Sequence, residues 1–181
     1  MPLSRRTFVK LGAWAAVGTL LPGAALGSGT HAGIREKSLA LYNTHTGEEL
    51  KTVYWIEGDY VEDALRQINY LLRDRRNNAV YDIDPRLLDL LFLIGKKLNA
   101  RQPLHIISAY RSADTNAMLR SRSGGVAKNS LHLIGKAIDI SIPGKAISDL
   151  RNVAMALQSG GVGYYPKSGF VHVDVGRVRY W

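Results

Sequence analysis

Hydrophobic and polar positions alternate with two different periods along the chain. Residues 38–42 and 50–55 alternate between apolar and polar side chains around a turn that contains Gly47, which predicts a β-hairpin. Residues 59–76 have apolar side chains at helical spacing, with Asp59 as the predicted N-cap. A second helix is predicted from Asp84 and Pro85, and its nearly all-round apolar surface places it in the core.

The second half of the chain is dominated by strand patterns. "PLHIISAY", "GKAIDISIP", "GVGYYP" and "GFVHVDVG" are predicted strands. A short helix after residue 111, a glycine-rich basic loop at 121–130 and a helix over 147–157 lie between them. The pattern predicts a small single α+β domain over residues 38–181, with an antiparallel sheet and helices packed on one side.

The first 27 residues have the character of an export signal. Arg5 and Arg6 precede Phe8 and Lys10, and an apolar run and small side chains follow as far as Gly27. This segment resembles a twin-arginine signal peptide, which implies export through the twin-arginine machinery to the periplasm. The apolar run is shorter than a membrane span, so no stable span is expected after cleavage. An ordinary secretory signal and an uncleaved anchor are the alternatives, and residues 28–37 are interpreted as a linker.

The amino-acid composition excludes several kinds of catalytic and metal-binding chemistry. The chain has 181 residues and no cysteine, which excludes disulfides, thiolate nucleophiles and cysteine-ligated zinc. The formal charge is +9, and +6 without the first 27 residues. A basic exported domain is expected to meet an anionic partner such as peptidoglycan or acidic lipid, whereas export and the lack of a recognised motif argue against nucleic acid.

Ionisable side chains interrupt the apolar pattern of the predicted strands near the end of the chain. Strand alternation puts Asp139 opposite a row of isoleucines, and it puts His172 and Asp174 together opposite a row of valines. A buried carboxylate or imidazole needs a partner. With His132, the residues Asp139 and His172 would offer zinc two neutral nitrogens and one anionic oxygen, with a fourth position open. Ordinary hydrogen bonding remains the alternative for each residue.

Two motifs carry a resemblance to a known superfamily. "SLHLIGKAID" fits the pattern S-x-H-x-x-G-x-A-x-D, and "FVHVD" and "SAYRS" fit its companion segments. The chain is thus similar to the zinc D-Ala-D-Ala peptidases, a superfamily that includes hedgehog-type domains. "LYNTHTGEEL", "YWIEGDY", "LRDRRNN", "DPRLLDLL" and the leader resemble its exported murein endopeptidase branch, so the resemblance covers nearly the whole chain.

The resemblance implies a metal site and a reaction. His132, Asp139 and His172 would bind one zinc ion. The enzyme would hydrolyse peptide cross-links of peptidoglycan during cell-wall growth, between D-Ala and meso-diaminopimelate, between two diaminopimelates, or both. A D-alanyl-D-alanine carboxypeptidase and a non-catalytic peptidoglycan-binding module are the alternatives.

The residue that would accept the proton of the attacking water differs from the superfamily pattern. Many members have a glutamate three residues before the last histidine ligand, where this chain has Gly169. Asp174, on the same strand face as His172, is the predicted replacement. An orienting or ion-pairing role for Asp174 is the competing interpretation.

Arg111 matches the superfamily arginine that binds substrate or stabilises the oxyanion, and a structural ion pair is the alternative. Weaker candidates for substrate contact, each with packing as the alternative, are Tyr110, Ser130 and Tyr164. Three histidines are not expected to be ligands, because they fall in the linker, a turn and an early strand: His31, His45 and His105.

Overall fold

The computed structural model describes residues 33–122 and 125–181. Most of the segment interpreted as signal peptide and linker, including His31, lies outside these residues. Eight strands are present in the described part: β1 Glu36–Asn43, β2 Glu49–Ile56, β3 Asp59–Tyr60, β4 Leu104–Ser108, β5 Ala137–Ser141, β6 Gly161–Tyr165, β7 Phe170–Asp174 and β8 Arg179–Tyr180. The α-helices of the same residues are α1 Glu62–Leu71, α2 Pro85–Lys97, α3 Ala113–Arg122 and α4 Ile147–Leu157.

The strands form one sheet in the order β3-β2-β1-β4-β5-β7-β6-β8. The α+β class predicted from the sequence is confirmed. The sheet is mixed rather than purely antiparallel, because β1 pairs with β4 and β6 pairs with β8 in parallel. A parallel pair needs a long connection, and the chain between β1 and β4 supplies one through β2, β3, α1 and α2. The centre that carries the polar residues, β4-β5-β7, is antiparallel.

Helices α1, α2 and α4 cover the apolar side of the sheet. Helix α2 is central to the core, as predicted, and packs on β1 and α4. It buries one broad face rather than its whole circumference, because Leu93 on the outer side is exposed. Asp84 caps α2, since its carboxylate accepts a hydrogen bond from the Arg86 amide at 3.0 Å. Helix α4 packs on β6 and β7. Ile138, Ile140 and the β7 valines therefore enter one continuous core.

Helix α1 is shorter than its sequence pattern predicts. It begins after Val61, and Asp59 is not its cap, because Asp59 pairs with Ile56 in the β3–β2 ladder. The helix ends at Leu71 rather than 76, because the buried Asp74 binds Ser112 instead of continuing the helix. None of the helices in the described residues is long and apolar enough to cross a membrane.

The register of the central strands builds the polar face. Asp139 of β5 lies directly opposite His172 of β7, and His172 lies opposite Gly163 of β6. Directly opposed side chains are in contact distance in an antiparallel pair. The pairing register thus brings the Asp139 carboxylate and the His172 imidazole together on the side of the sheet away from α2 and α4.

Candidate metal centre

Three side-chain atoms converge at the polar face of the sheet. His132 Nε2 is 3.2 Å from His172 Nδ1 and 3.3 Å from Asp139 Oδ1, and the last two atoms are 2.9 Å apart. Zinc bonds of about 2.0–2.1 Å in a tetrahedron require ligand atoms about 3.3 Å apart. All three residues are buried, and together they form a group able to hold a metal ion among the described residues. The structure thus brings together the three predicted ligands.

His132 is positioned by a tight turn rather than by a strand. It lies in a 3₁₀ turn, Leu131–Ile134, that Gly135 ends in the left-handed conformation with φ of 64°. A Cβ at Gly135 would collide with the carbonyl oxygen of Asp82. His132 Nδ1 donates a hydrogen bond to the Ala109 carbonyl at 2.6 Å, which fixes the tautomer with an unprotonated Nε2.

His172 is held from behind by Asp174. His172 Nε2 donates to Asp174 Oδ2 at 3.1 Å, on the side of the ring away from the converging atoms. The fully buried Asp174 also accepts from the amides of Gly161 and Gly176 at 2.9 Å and forms an ion pair with Arg179 at 2.7 Å. Burial raises the pKa of Asp174, but His172, the two amides and Arg179 outweigh it and hold the pKa well below its usual range. This placement favours the orienting role over the predicted role as proton acceptor.

The charges of the group suit a cation. Burial lowers the pKa of His132, which favours the neutral imidazole that a metal needs. Burial also lowers the pKa of His172, but Asp139 and Asp174 outweigh it and raise that pKa above its usual value. Burial raises the pKa of Asp139, and the two imidazoles reverse this and hold it well below its usual range. The chemistry of the donor set, two imidazoles around an ionised carboxylate, fits a divalent ion.

Arg111 contacts the second oxygen of the ligand aspartate. Its Nη2 donates to Asp139 Oδ2 at 2.6 Å, and its Nε donates to Ser108 Oγ at 2.8 Å. The side chain is 14% exposed and lines the cleft above the group. Arg111 thus satisfies both interpretations of its role, because it forms an ion pair with Asp139 and also faces the cleft where a substrate would bind.

An open cleft of about 580 Å³ lies over the three converging atoms. The loop 125–131 forms one wall, and Tyr165, Phe170 and Trp181 line another part. A second depression of about 300 Å³ shares Arg111, Asp139 and Phe170 with the first. The candidate metal centre therefore lies where the two depressions meet.

The predicted substrate contacts lie at different places. Ser130 lines the cleft, and its Oγ accepts from the His132 amide at 3.4 Å. Tyr110 lines the second depression and stacks on Tyr81. The prediction for Tyr164 is wrong, because β6 alternation puts its ring on the helix side, under the Arg151 guanidinium at 4.6 Å. Its neighbour Tyr165 lines the cleft instead.

Of the histidines not expected to be ligands, His45 and His105 lie in the described part, and both are outside the converging group. His45 lines the second depression, and His105 of β4 contacts Tyr42 with ring centroids 5.0 Å apart.

The chain end forms a wall that the sequence did not predict. The Trp181 ring lies 5.2 Å from the His172 ring, and its Nε1 donates to the Tyr165 hydroxyl at 2.8 Å. A Cβ at Gly163 would lie 2.7 Å from the indole, so the glycine opposite His172 makes room for the tryptophan. The alternation of β6 was the available signal, since it places Gly163 and Tyr165 on the face of the cleft.

No side chain replaces the usual glutamate at Gly169. Gly169 has φ of 72°, a left-handed conformation that costs an L-residue about 1–2 kcal/mol. Among the described residues that line the two depressions, the carboxylates are those of Asp139 and Asp74. Asp139 is itself a candidate ligand. Asp74 is buried, and its carboxylate accepts hydrogen bonds from the amide and the hydroxyl of Ser112.

Comparisons with known proteins place the chain in a family. The family model described as peptidoglycan L,D-endopeptidase MepK matches residues 31–181. The peptidoglycan L,D-endopeptidase MepK of Escherichia coli strain K12 is 43% identical over 178 residues, which cover 98% of this chain and 97% of that protein. The probable peptidoglycan L,D-endopeptidase MepK of Haemophilus influenzae Rd is 39% identical over 98% of this chain and 95% of its own length. No solved structure matches the chain significantly. The chain belongs to the peptidoglycan L,D-endopeptidase MepK family.

Proposed function

We propose that this protein is a zinc-dependent peptidase that hydrolyses the peptide cross-links of peptidoglycan. The observation that carries the proposal is the convergence of His132 Nε2, Asp139 Oδ1 and His172 Nδ1 beside an open cleft. Full-length similarity to proteins named peptidoglycan L,D-endopeptidase supplies the substrate class.

The L,D designation of the relatives favours one of the two cross-links. A cross-link from D-Ala to diaminopimelate joins two D-centres. A cross-link between two diaminopimelates joins the carboxyl of an L-centre to the amine of a D-centre. We therefore propose the bond between two diaminopimelates as the preferred substrate.

The side chains of the centre have distinct roles in this proposal. When bound, zinc supplies a Lewis acid and lowers the pKa of a bound water toward about 7. His132, Asp139 and His172 would hold the ion, and the Ala109 carbonyl and Asp174 fix the orientation of the two imidazoles. Arg111 neutralises the outer oxygen of Asp139 and presents its guanidinium to the peptide in the cleft.

Asp174 is assigned a positioning role rather than the role of proton acceptor. It is fully buried, and His172 lies between its carboxylate and the converging atoms. A general base has to reach the proton that it removes, directly or through one water. The Asp174 carboxylate instead uses its oxygens on His172, Arg179 and two backbone amides.

Hydrolysis of defined muropeptides tests the proposal. The purified protein is expected to convert a dimer cross-linked through two diaminopimelates into monomers, to stop after chelation and to recover with zinc. His132→Ala is expected to lose the activity, and Lys97→Gln, an exposed change away from both depressions, is expected to keep it. Release of D-Ala from a pentapeptide monomer without dimer cleavage would instead identify a carboxypeptidase. Binding to sacculi without any release would identify a wall-binding module.

We further propose that the chain reaches the periplasm through the twin-arginine machinery. The support is the segment that contains Arg5, Arg6, Phe8 and Lys10. Replacing both arginines by lysine is expected to retain the protein in the cytoplasm. Unchanged export of this double variant would contradict the proposed route.

A further inference from the structure

The second depression is strongly basic. Arg73, Arg75, Arg76 and Arg111 line it, and it shares Arg111 and Asp139 with the cleft over the candidate metal centre. We call the part formed by Arg75, Arg76 and Arg111 the arginine cleft. Because the two depressions meet at the candidate metal centre, a peptide that spans this centre would reach the arginine cleft.

The loop that carries Arg75 and Arg76 is held in place by a buried aspartate. Asp74 is 2% exposed, and its Oδ2 accepts from both the amide and the hydroxyl of Ser112, at 2.9 and 2.7 Å. Its Oδ1 accepts from the Arg76 amide at 3.0 Å. The backbone of Asp74 also closes the loop through hydrogen bonds with Asn78 and Ala79. The two exposed arginines are thus displayed from a fixed backbone.

Among the described residues, Arg75 and Arg76 lack the ion pairs that the other two arginines of the depression form. Arg73 forms an ion pair with Glu48 at 2.9 Å, and Arg111 forms one with Asp139. Within residues 33–122 and 125–181, no carboxylate lies within ion-pair distance of Arg75 or Arg76.

The arginines also repel one another. Burial and the charges of Arg75 and Arg122 lower the pKa of Arg76, and together they outweigh the opposing charge of Asp74. The depression also contains the carboxylates of Asp74 and Asp139, but its arginines outnumber them. A concave site with an excess of positive charge attracts an anion, and guanidinium groups bind carboxylates through paired hydrogen bonds. The unmatched charge is therefore available to a ligand.

We propose that the arginine cleft binds a free carboxylate of the peptidoglycan stem peptide on one side of the scissile bond. This inference rests on the proposed function. Stem peptides carry carboxylates that take no part in the cross-link, on their glutamate and diaminopimelate residues. Arg75 and Arg76 are then specificity-determining residues that select stem peptides whose carboxylates are free rather than amidated.

Kinetics on a matched pair of substrates test the inference. The two cross-linked dimers differ only in having free carboxylates or carboxamides. The wild-type protein is expected to show a KM about tenfold higher for the amidated dimer, the effect of losing one charge-assisted hydrogen bond. Arg75→Gln/Arg76→Gln is expected to raise KM about tenfold for the free-carboxylate dimer, with kcat within about twofold, and to lose the discrimination.

The control Lys97→Gln/Arg101→Gln removes the same charge outside both depressions and is expected to behave as the wild type. If the arginine variant still discriminates between the two dimers as the wild type does, the inference is wrong.

Binding separates this inference from the proposed function. Calorimetry with an uncleavable free stem tetrapeptide is expected to show binding to the wild-type protein about tenfold tighter than to Arg75→Gln/Arg76→Gln. Such a difference without hydrolysis of any dimer would retain the arginine cleft and refute the peptidase. Equal binding by the two proteins, with dimer hydrolysis intact, would refute the arginine cleft and retain the peptidase.

Discussion

His172 donates its Nε2 proton to Asp174 Oδ2 at 3.1 Å, while its Nδ1 atom faces Asp139 Oδ1 at 2.9 Å. The imidazole thus bridges an orienting carboxylate and a candidate ligand carboxylate. Outer carboxylates of this kind increase the basicity of a ligand histidine and fix its ring. The arrangement makes Asp174 part of the metal site without contact to the metal position.

Asp174→Asn is expected to weaken zinc binding by about 10- to 100-fold, because the amide no longer orients and polarises His172 as a carboxylate does. Competition with a chromophoric chelator measures this. Asp89→Asn is a matched control, since Asp89 is also ion-paired and hydrogen-bonded but lies away from the site, against Lys37, Tyr54 and Tyr60. Unchanged zinc affinity with a 100-fold lower kcat at saturating zinc would instead favour the proton-acceptor role.

Gly135→Ala is expected to destabilise the protein more than Gly144→Ala. Both glycines are left-handed, with φ of 64° and 74°, so each substitution costs about 1–2 kcal/mol. Only at Gly135 would the new methyl group meet backbone, at Asp82, which adds about 1–3 kcal/mol. Urea unfolding measures the difference, and zinc affinity should fall with Gly135→Ala alone, because Gly135 ends the turn that carries His132. Equal stability of the two variants would refute this packing argument.

The strand alternation and the register explain why part of the site could be predicted from the sequence. Alternation placed Asp139, His172 and Asp174 on one face, and the structure confirms that shared face. His132 lies in a 3₁₀ turn, where strand alternation does not apply. Only the S-x-H-x-x-G-x-A-x-D motif indicated this residue. Neighbouring residues of a strand point to opposite faces, so Tyr165 lines the cleft while Tyr164 packs on the helix side, which is the alternative named for it.

Other features depend on contacts between distant segments. Asp74 is 38 residues from Ser112, and nothing local to residues 59–76 reveals that this aspartate ends the helical pattern. Asp59 has a side chain suited to capping, but ladder pairing with β2 determines its place. Trp181 reaches the cleft only because β8 pairs with β6 in parallel.

Gly163→Ala is expected to displace the Trp181 indole, since the added methyl group would lie 2.7 Å from the ring. Loss of this wall should raise KM for the cross-linked dimer about fivefold, the value of roughly 1 kcal/mol of aromatic contact. Intrinsic fluorescence reports the displacement. Gly33→Ala adds a methyl group to open space and serves as the control. An unchanged emission spectrum in Gly163→Ala would contradict the predicted clash.

Asp74→Asn is expected to lower the free energy of unfolding by about 1–3 kcal/mol near neutral pH, because it weakens the hydrogen bonds to Ser112 and Arg76. Burial raises the pKa of Asp74, but hydrogen bonds from Thr115, Arg76 and Ser112 outweigh it and lower the pKa. A lowered folded pKa means that this stability is complete above the unfolded value of about 3.9 and is lost as the pH falls through the folded pKa.

The free energies of unfolding of the wild type and Asp74→Asn are therefore expected to converge as the pH falls below about 3.9, and denaturant unfolding from pH 7 down to pH 2 measures this convergence. Asp63→Asn removes an exposed carboxylate and is expected to change stability by less than about 0.5 kcal/mol. A constant difference between the wild type and Asp74→Asn over the whole pH range would contradict the role given to the ionised carboxylate.

The most direct test of the metallopeptidase is one experiment that joins metal content to product analysis. Purified protein is analysed for bound zinc and incubated with a dimer cross-linked through two diaminopimelates, and the products are identified by mass spectrometry. We predict one zinc ion per chain and complete conversion to monomers, with both lost in His132→Ala. Conversion by His132→Ala at the wild-type rate, or a zinc-loaded wild-type protein that leaves the dimer intact, would contradict the proposed function.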